Sequence, residues 1–198
     1  MLKYIALIVY LMLGGMAPMA ATPADELFLR NEAQRSLYEA AFGRLGQTQA
    51  TRPAVRTYAA TLTNDHEAYN GALRDLAKSK GIALPSSMAA ADKKRLDKLA
   101  GTHGEAFDDA FIQEAKRVND GDLRNLRKAA GRTADPDIRG FVTRFLEVDE
   151  RHEEGARALS ERDEAARRSV IPPPRTGDTM AVTPPPEAST MPVIPAPK

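Results

Sequence analysis

Cysteine is absent from the 198 residues. That excludes a disulfide framework, a thiolate zinc site, an iron–sulfur cluster and a cysteine nucleophile. It also excludes a lipid anchor on an N-terminal cysteine. Tryptophan is absent too, aromatic residues reach only 6 %, and β-branched runs are scarce beyond the first ten positions, so the usual strand signals are missing. Neither charge sign dominates: 28 Lys and Arg face 27 Asp and Glu, for a formal net charge of +1. A nucleic-acid surface needs clustered cations that displace counterions, and no basic stripe interleaved with aromatics is found, so no nucleic-acid partner is expected. No Gly-rich phosphate loop occurs, and no Ser or Thr stands beside a recognisable base. The sequence therefore shows no catalytic constellation.

What remains is rich in Ala, Leu, Glu, Arg and Lys, the residues that favour helix. An all-α fold follows. The first 21 residues open with Lys3, run apolar from Tyr4 to Leu13, break at Gly14-Gly15 and end on small residues at Ala17, Ala20 and Ala21. This is the three-part layout of a secretory signal peptide, and the apolar run is short for a bilayer span. Residues 1–21 are read as a signal peptide cleaved near Ala20 or Ala21. The mature chain is then exported, to a periplasmic or other extracytoplasmic space, with no further membrane span.

Four long stretches have helical periodicity. The first runs from about Pro23 to Gln49, capped by Thr22. The second runs from about Arg52 to Lys80, with Thr51 as its cap and Gly81 as its stop. A short polar helix over 89–101 follows. Thr102 and Glu105 stand at capping-box spacing before the third long helix, which reaches about Ala130. Asp135-Pro136 opens the fourth, which continues to about Arg168. Four amphipathic helices joined by short loops predict an antiparallel four-helix bundle over residues 22–169. Residues 170–198 hold nine of the fourteen prolines and read as a disordered Pro-rich tail. The tail is either a plain spacer or a tether to an envelope protein or cell-wall component.

The apolar stripes are interrupted in a regular way. On the second helix the stripe is Val55, Tyr58, Leu62, His66, Tyr69, Leu73, Leu76. On the fourth it is Ile138, Phe141, Phe145, Asp149, His152, Ala156, Leu159. On the third, Asn119 falls among Phe107, Phe111, Ala115, Leu123 and Leu126. On the first, Glu39 lies beside Tyr38, Phe42 and Leu45. Burying such groups alone costs on the order of 1–3 kcal/mol each, so they are expected to meet one another near the middle of the bundle. In one reading His66 and His152 are imidazole ligands, with oxygen from Glu39 and Asp149, for zinc, iron or manganese. In another the histidines are hydrogen-bonded core residues. In a third, burial lowers their pKa and acid charges them, loosening the bundle.

In combination, Glu39 to Leu45, the stretch RPAVRTYAATLTNDHEAYNGALRDLAKSKGIALP with Asp65-His66, Leu99 to Gly104, Ala106 to Ile112 and DPDIRGFVTRFLEVDERHEEGARAL with His152 resemble a known family. It is the bacterial domain-of-unknown-function family 4142, exported proteins with a ferritin-like bundle, and the match covers roughly Pro23 to Leu159. The family pattern has a histidine on each of the second, third and fourth long helices. Asn119 stands at the third-helix position, and asparagine is a poor ligand for zinc or iron. The resemblance implies fold and export more than activity. A full di-iron site would want two Glu-x-x-His motifs, but only Asp149 and His152 have that format, and Thr63 occupies the matching place before His66. His103 matches no family position and is expected in solvent. Two functions follow: a non-enzymatic envelope bundle in stress protection or interaction, and a ferritin-like metal binder, extendable to redox chemistry.

Overall fold

The computed structural model describes residues 20–170. The predicted signal peptide and Pro-rich tail lie, except for their inner ends, outside the described residues. Five helices follow one another: α1 Pro23–Gln49, α2 Pro53–Ser79, α3 Ala90–Ala100, α4 Gly104–Ala130 and α5 Pro136–Val170. No strand occurs among the described residues. The all-α, ferritin-like bundle expected from the sequence is the fold observed.

Local chemistry explains several boundaries. Thr22 and Asp25 form a reciprocal capping box, with Pro23 at the first helical position of α1. Gly81 takes a positive φ of 69°, which lets the Ile82 N–H reach back to the Ala77 carbonyl and close α2. Asp135 caps α5 by accepting from the backbone N–H groups of Asp137 and Ile138. Two expected caps differ. Thr51 does not cap α2: Arg52 takes the N-cap position with no side-chain bond, and the Thr51 hydroxyl donates to Asp108 on α4. Thr102 donates to the Leu99 carbonyl, and His103, exposed, stands at the N-cap of α4.

Asp108 supplies the cap that α2 lacks. It is fully buried and accepts from the backbone N–H groups of Thr51 and Arg52, the Thr51 hydroxyl and the Arg52 guanidinium. The helix N-terminus favours a carboxylate there. Burial works against the charge, but these hydrogen bonds outweigh it and hold the Asp108 carboxyl below its ordinary range. Its stabilisation is therefore complete above the unfolded value of about 3.9 and lost as pH falls through the lower folded value. Asp108→Asn should cost roughly 2–3 kcal/mol at neutral pH and progressively less below about pH 4. Urea melts across that range would show a pH-independent difference if the carboxylate charge were irrelevant.

Helix pairing sets the topology. α1 packs on α2 and α4 on α5, and the two hairpins meet through α2–α5 and α1–α4. Arg52, at the start of α2, pairs with Asp163 near the end of α5, while Lys80, after α2, pairs with Asp135 before α5. Phe42 of α1 stacks on Phe111 of α4 at 4.1 Å, and Arg35 pairs with Asp122 further along α4. Neighbouring long helices are therefore antiparallel. The sequence suggested short loops throughout, but α2 and α4 are diagonal partners. Residues 80–103, including α3, carry the chain back along the bundle. One such long crossover is the ferritin-like arrangement. Within the first hairpin α1 and α2 approach closely: a Cβ on Gly43 would lie 2.5 Å from Thr63 Oγ1.

The core is cut in two. One apolar cluster holds Phe42, Tyr58, Leu62, Phe107, Phe111 and Ala156, and the other holds Leu29, Tyr69, Leu73, Leu126, Ile138 and Phe145. Between them in every long helix come buried polar residues: Glu32, Ser36 and Glu39 in α1, His66 and Asn70 in α2, Asn119 and Asp122 in α4, Asp149 and His152 in α5.

Candidate metal centre

The periodicity that placed Glu39, His66, Asp149 and His152 on core stripes brings all four into this layer. His66 Nδ1 lies 3.0 Å from Glu39 Oε2 and 3.5 Å from the Ser36 hydroxyl. His152 Nε2 lies 2.9 Å from Asp65 Oδ2, and His152 Nδ1 lies 3.6 Å from Asp149 Oδ1. The two imidazoles are 5.3 Å apart, centre to centre. His66, Asp149 and His152 each offer a donor atom within 4.8 Å of the others, and all three are buried.

Each ring thus has one nitrogen tied to a carboxylate and one left over. Glu39 takes Nδ1 of His66, leaving Nε2. Asp65 takes Nε2 of His152, leaving Nδ1, which is buried with no hydrogen-bond partner. A carboxylate on the far nitrogen orients a ligating histidine and raises its basicity. Two donors each about 2.1 Å from a shared ion sit roughly 3–3.5 Å apart, close to the His152–Asp149 separation. Enclosing one ion with His66 as well needs an inward shift on the order of 1 Å. Two nitrogens and a carboxylate oxygen suit zinc, iron or manganese. The donor set fits a divalent metal.

The surroundings carry excess negative charge. Burial pushes the Glu32 carboxyl up to about 7, eased by Arg35 and reinforced by Glu39, and its Oε2 accepts from the Tyr69 hydroxyl at 2.9 Å. Burial also raises Asp149, and the Glu39 charge adds to this against the pull of His152. Glu39 is held low, because the adjoining His66 outweighs the cost of burial. His66 is raised: burial opposes its charge, but Glu39 prevails. The expectation that burial lowers the histidines therefore fails for His66, since its buried neighbour is an anion.

Asn119 is buried and donates through Nδ2 to the Tyr58 hydroxyl at 3.0 Å, which in turn donates to the His152 carbonyl at 2.9 Å. Gly155 makes room for this contact, since a Cβ there would fall 2.8 Å from the Tyr58 ring. Asn119 thus fixes the backbone of α5 beside His152. Sequence reasoning missed Asp65 as a partner, together with Glu32 and the Arg35–Asp122 pair. The available signal was spacing: Glu32 precedes Glu39 by seven residues, and Asp122 follows Asn119 by three, so each shares its helix face.

Known proteins add fold and family. No curated protein matches the chain. The crystal structure of a DUF305 fragment from Deinococcus radiodurans is similar, with a TM-score of 0.65 and 11 % identity over 73 % of this chain and 99 % of that one. At that identity the likeness is one of fold. The family model of a domain of unknown function, DUF4142, matches residues 12–159. The chain therefore belongs to the DUF4142 family.

Proposed function

We propose that this protein is an exported helical bundle that binds one divalent metal ion through His66, Asp149 and His152. The observation that supports this most directly is the His152 ring: Asp65 holds its Nε2, while its buried Nδ1 has no partner and lies 3.6 Å from Asp149. A buried polar atom without a partner is costly, and a bound ion would satisfy it. Glu39 and Asp65 would orient the two imidazoles from their far nitrogens rather than contact the ion. Three protein ligands leave coordination positions for water or a small ligand, which a divalent ion would polarise. Asn119 lies outside this set, because its amide is committed to Tyr58.

The export part rests on residues 1–21. Among the described residues no helix is long and apolar enough to cross a membrane. N-terminal sequencing of the protein recovered from outside the cytoplasm should begin near Ala21. Recovery of the intact leader there would contradict cleavage.

The metal part is tested by mass spectrometry on untagged protein purified from its own compartment. One zinc, iron or manganese ion per chain is expected. Metal-free protein that also fails to take up any of the three on titration would make the histidines structural core residues.

A further inference from the structure

Just after α2, Leu84 and Pro85 of the crossover lie against the α1–α2 seam. With Leu37 of α1 and Leu73 of α2 they wall a cleft of about 330 Å³. The walls are aliphatic, and two polar groups of α2 line the cleft with them, Asn70 and Arg74. Asn70 is only 8 % exposed and turns its Nδ2 to the Ser36 carbonyl, at 3.3 Å. Its Oδ1 accepts from no donor among the described residues, and this oxygen is not sealed in the core but opens on the cleft. A nearly buried amide oxygen without a donor is costly, so the site calls for an N–H or O–H from outside.

Arg74 is exposed and makes no ion pair among the described residues. No carboxylate lines the cleft. The positions one turn from Arg74 on its own helix face are Asn70, Gly71, Ala77 and Lys78, and Asp75, next in sequence, is off that face. The guanidinium is therefore a positive charge without a counter-ion. Asn70 and Arg74 stand one turn apart, so a carboxylate and an adjacent donor on one ligand can meet both. The complement is an aliphatic group that carries a carboxylate and, beside it, an uncharged donor. A free amino acid brings an ammonium instead, which this lining leaves desolvated and unpaired.

We propose that this cleft binds the C-terminal residue of a peptide: its carboxylate on the Arg74 guanidinium, its amide N–H donated to Asn70 Oδ1, and an aliphatic side chain between Leu37, Leu73 and Leu84. Carboxylate–guanidinium pairs are strong because both partners are charged and the fork matches the carboxylate. The cleft contains none of the metal ligands, so metal-free full-length protein serves for the test.

N-acetyl-leucine is titrated by calorimetry beside three relatives that each change one group. N-acetyl-leucinamide lacks the carboxylate, isocaproate lacks the N–H, and leucine carries an ammonium. Saturable binding of N-acetyl-leucine is expected, roughly tenfold tighter than each relative. Arg74→Gln, at an exposed position, should weaken N-acetyl-leucine by about tenfold and leave N-acetyl-leucinamide unchanged. Arg127→Gln, whose arginine pairs with Glu150, is the unchanged control. Acetyl-Gly-Gly-Leu separates a peptide terminus from a free acylamino acid: binding at least as tight as N-acetyl-leucine supports the peptide. Absence of saturable N-acetyl-leucine binding, equal affinity for the leucinamide, binding unchanged in Arg74→Gln, or loss of binding by the longer peptide would overturn the proposal.

Discussion

Replacing His152 with alanine is expected to abolish metal retention. The variant removes one of three ligands and the one whose free nitrogen has no other partner in the core. Asp65→Asn is the informative companion. It keeps the ligands but removes the carboxylate 2.9 Å from His152 Nε2. Loss of such a partner typically weakens metal binding roughly 10–100-fold. Glu39→Gln should act likewise through His66. The series thus predicts a graded loss, with ligand variants below the two carboxylate variants. Stability supplies a second readout. A ligand at about 100 times its Kd stabilises the folded state by roughly 2.7 kcal/mol, or about 5–10 °C in Tm for a chain of this size. That increment should appear when metal is added to the unsubstituted protein and vanish in His152→Ala. Equal Tm shifts in both proteins would place the metal elsewhere.

The second large effect lies at one end of the bundle, where α2 ends and α5 begins. Lys80 Nζ is 2.6 Å from Asp135 Oδ2, and both side chains are almost fully buried. Lys80 also reaches Asp137 at 2.9 Å. Burial opposes both charges, yet the pairing prevails, raising Lys80 and lowering Asp135. Removing one partner from a buried pair leaves an uncompensated charge, which typically costs about 3–5 kcal/mol. Lys80→Met should therefore lower Tm by roughly 10 °C or more. Asp135→Asn added to Lys80→Met should recover part of this, because the amide oxygen still caps α5 and no charge is stranded. The signs set the pH window. Lys80 contributes below its unfolded value of about 10.4 and loses this as pH rises through its raised folded value, while Asp135 contributes above about 3.9 and loses this as pH falls through its lowered one. The Lys80→Met penalty should hold steady from about pH 5 to 9. A penalty below about 1 kcal/mol in urea denaturation would show that the pair behaves like an exposed one.

The helices and the polar layer were legible because both are periodic properties of the chain. A 3.6-residue repeat puts Tyr58, Leu62, His66, Tyr69 and Leu73 on one face whatever the helix packs against. An imidazole in that series has to enter the core, so His66 and His152 could be placed there in advance, and both are buried. Capping was less legible. The Thr22 cap is local and follows from the sequence, although its reciprocal partner Asp25 emerges only in the structure, whereas Thr51 does not cap the second long helix because its partner, Asp108, lies 57 residues away.

By itself, then, the sequence determined the all-α class, the four long helices, the face each buries and the level at which polar groups interrupt the core. Those follow from backbone geometry and hydrophobic burial, which act within one helix. Only the tertiary structure decided that α2 and α4 are diagonal partners linked by a crossover, that Asp65 reaches His152, and that Glu39 holds the far nitrogen of His66. These depend on helix order and rotation about the bundle axis, and no single helix encodes either. The same holds for the shift of His66: its direction is set by an anion from another helix, 3.0 Å away.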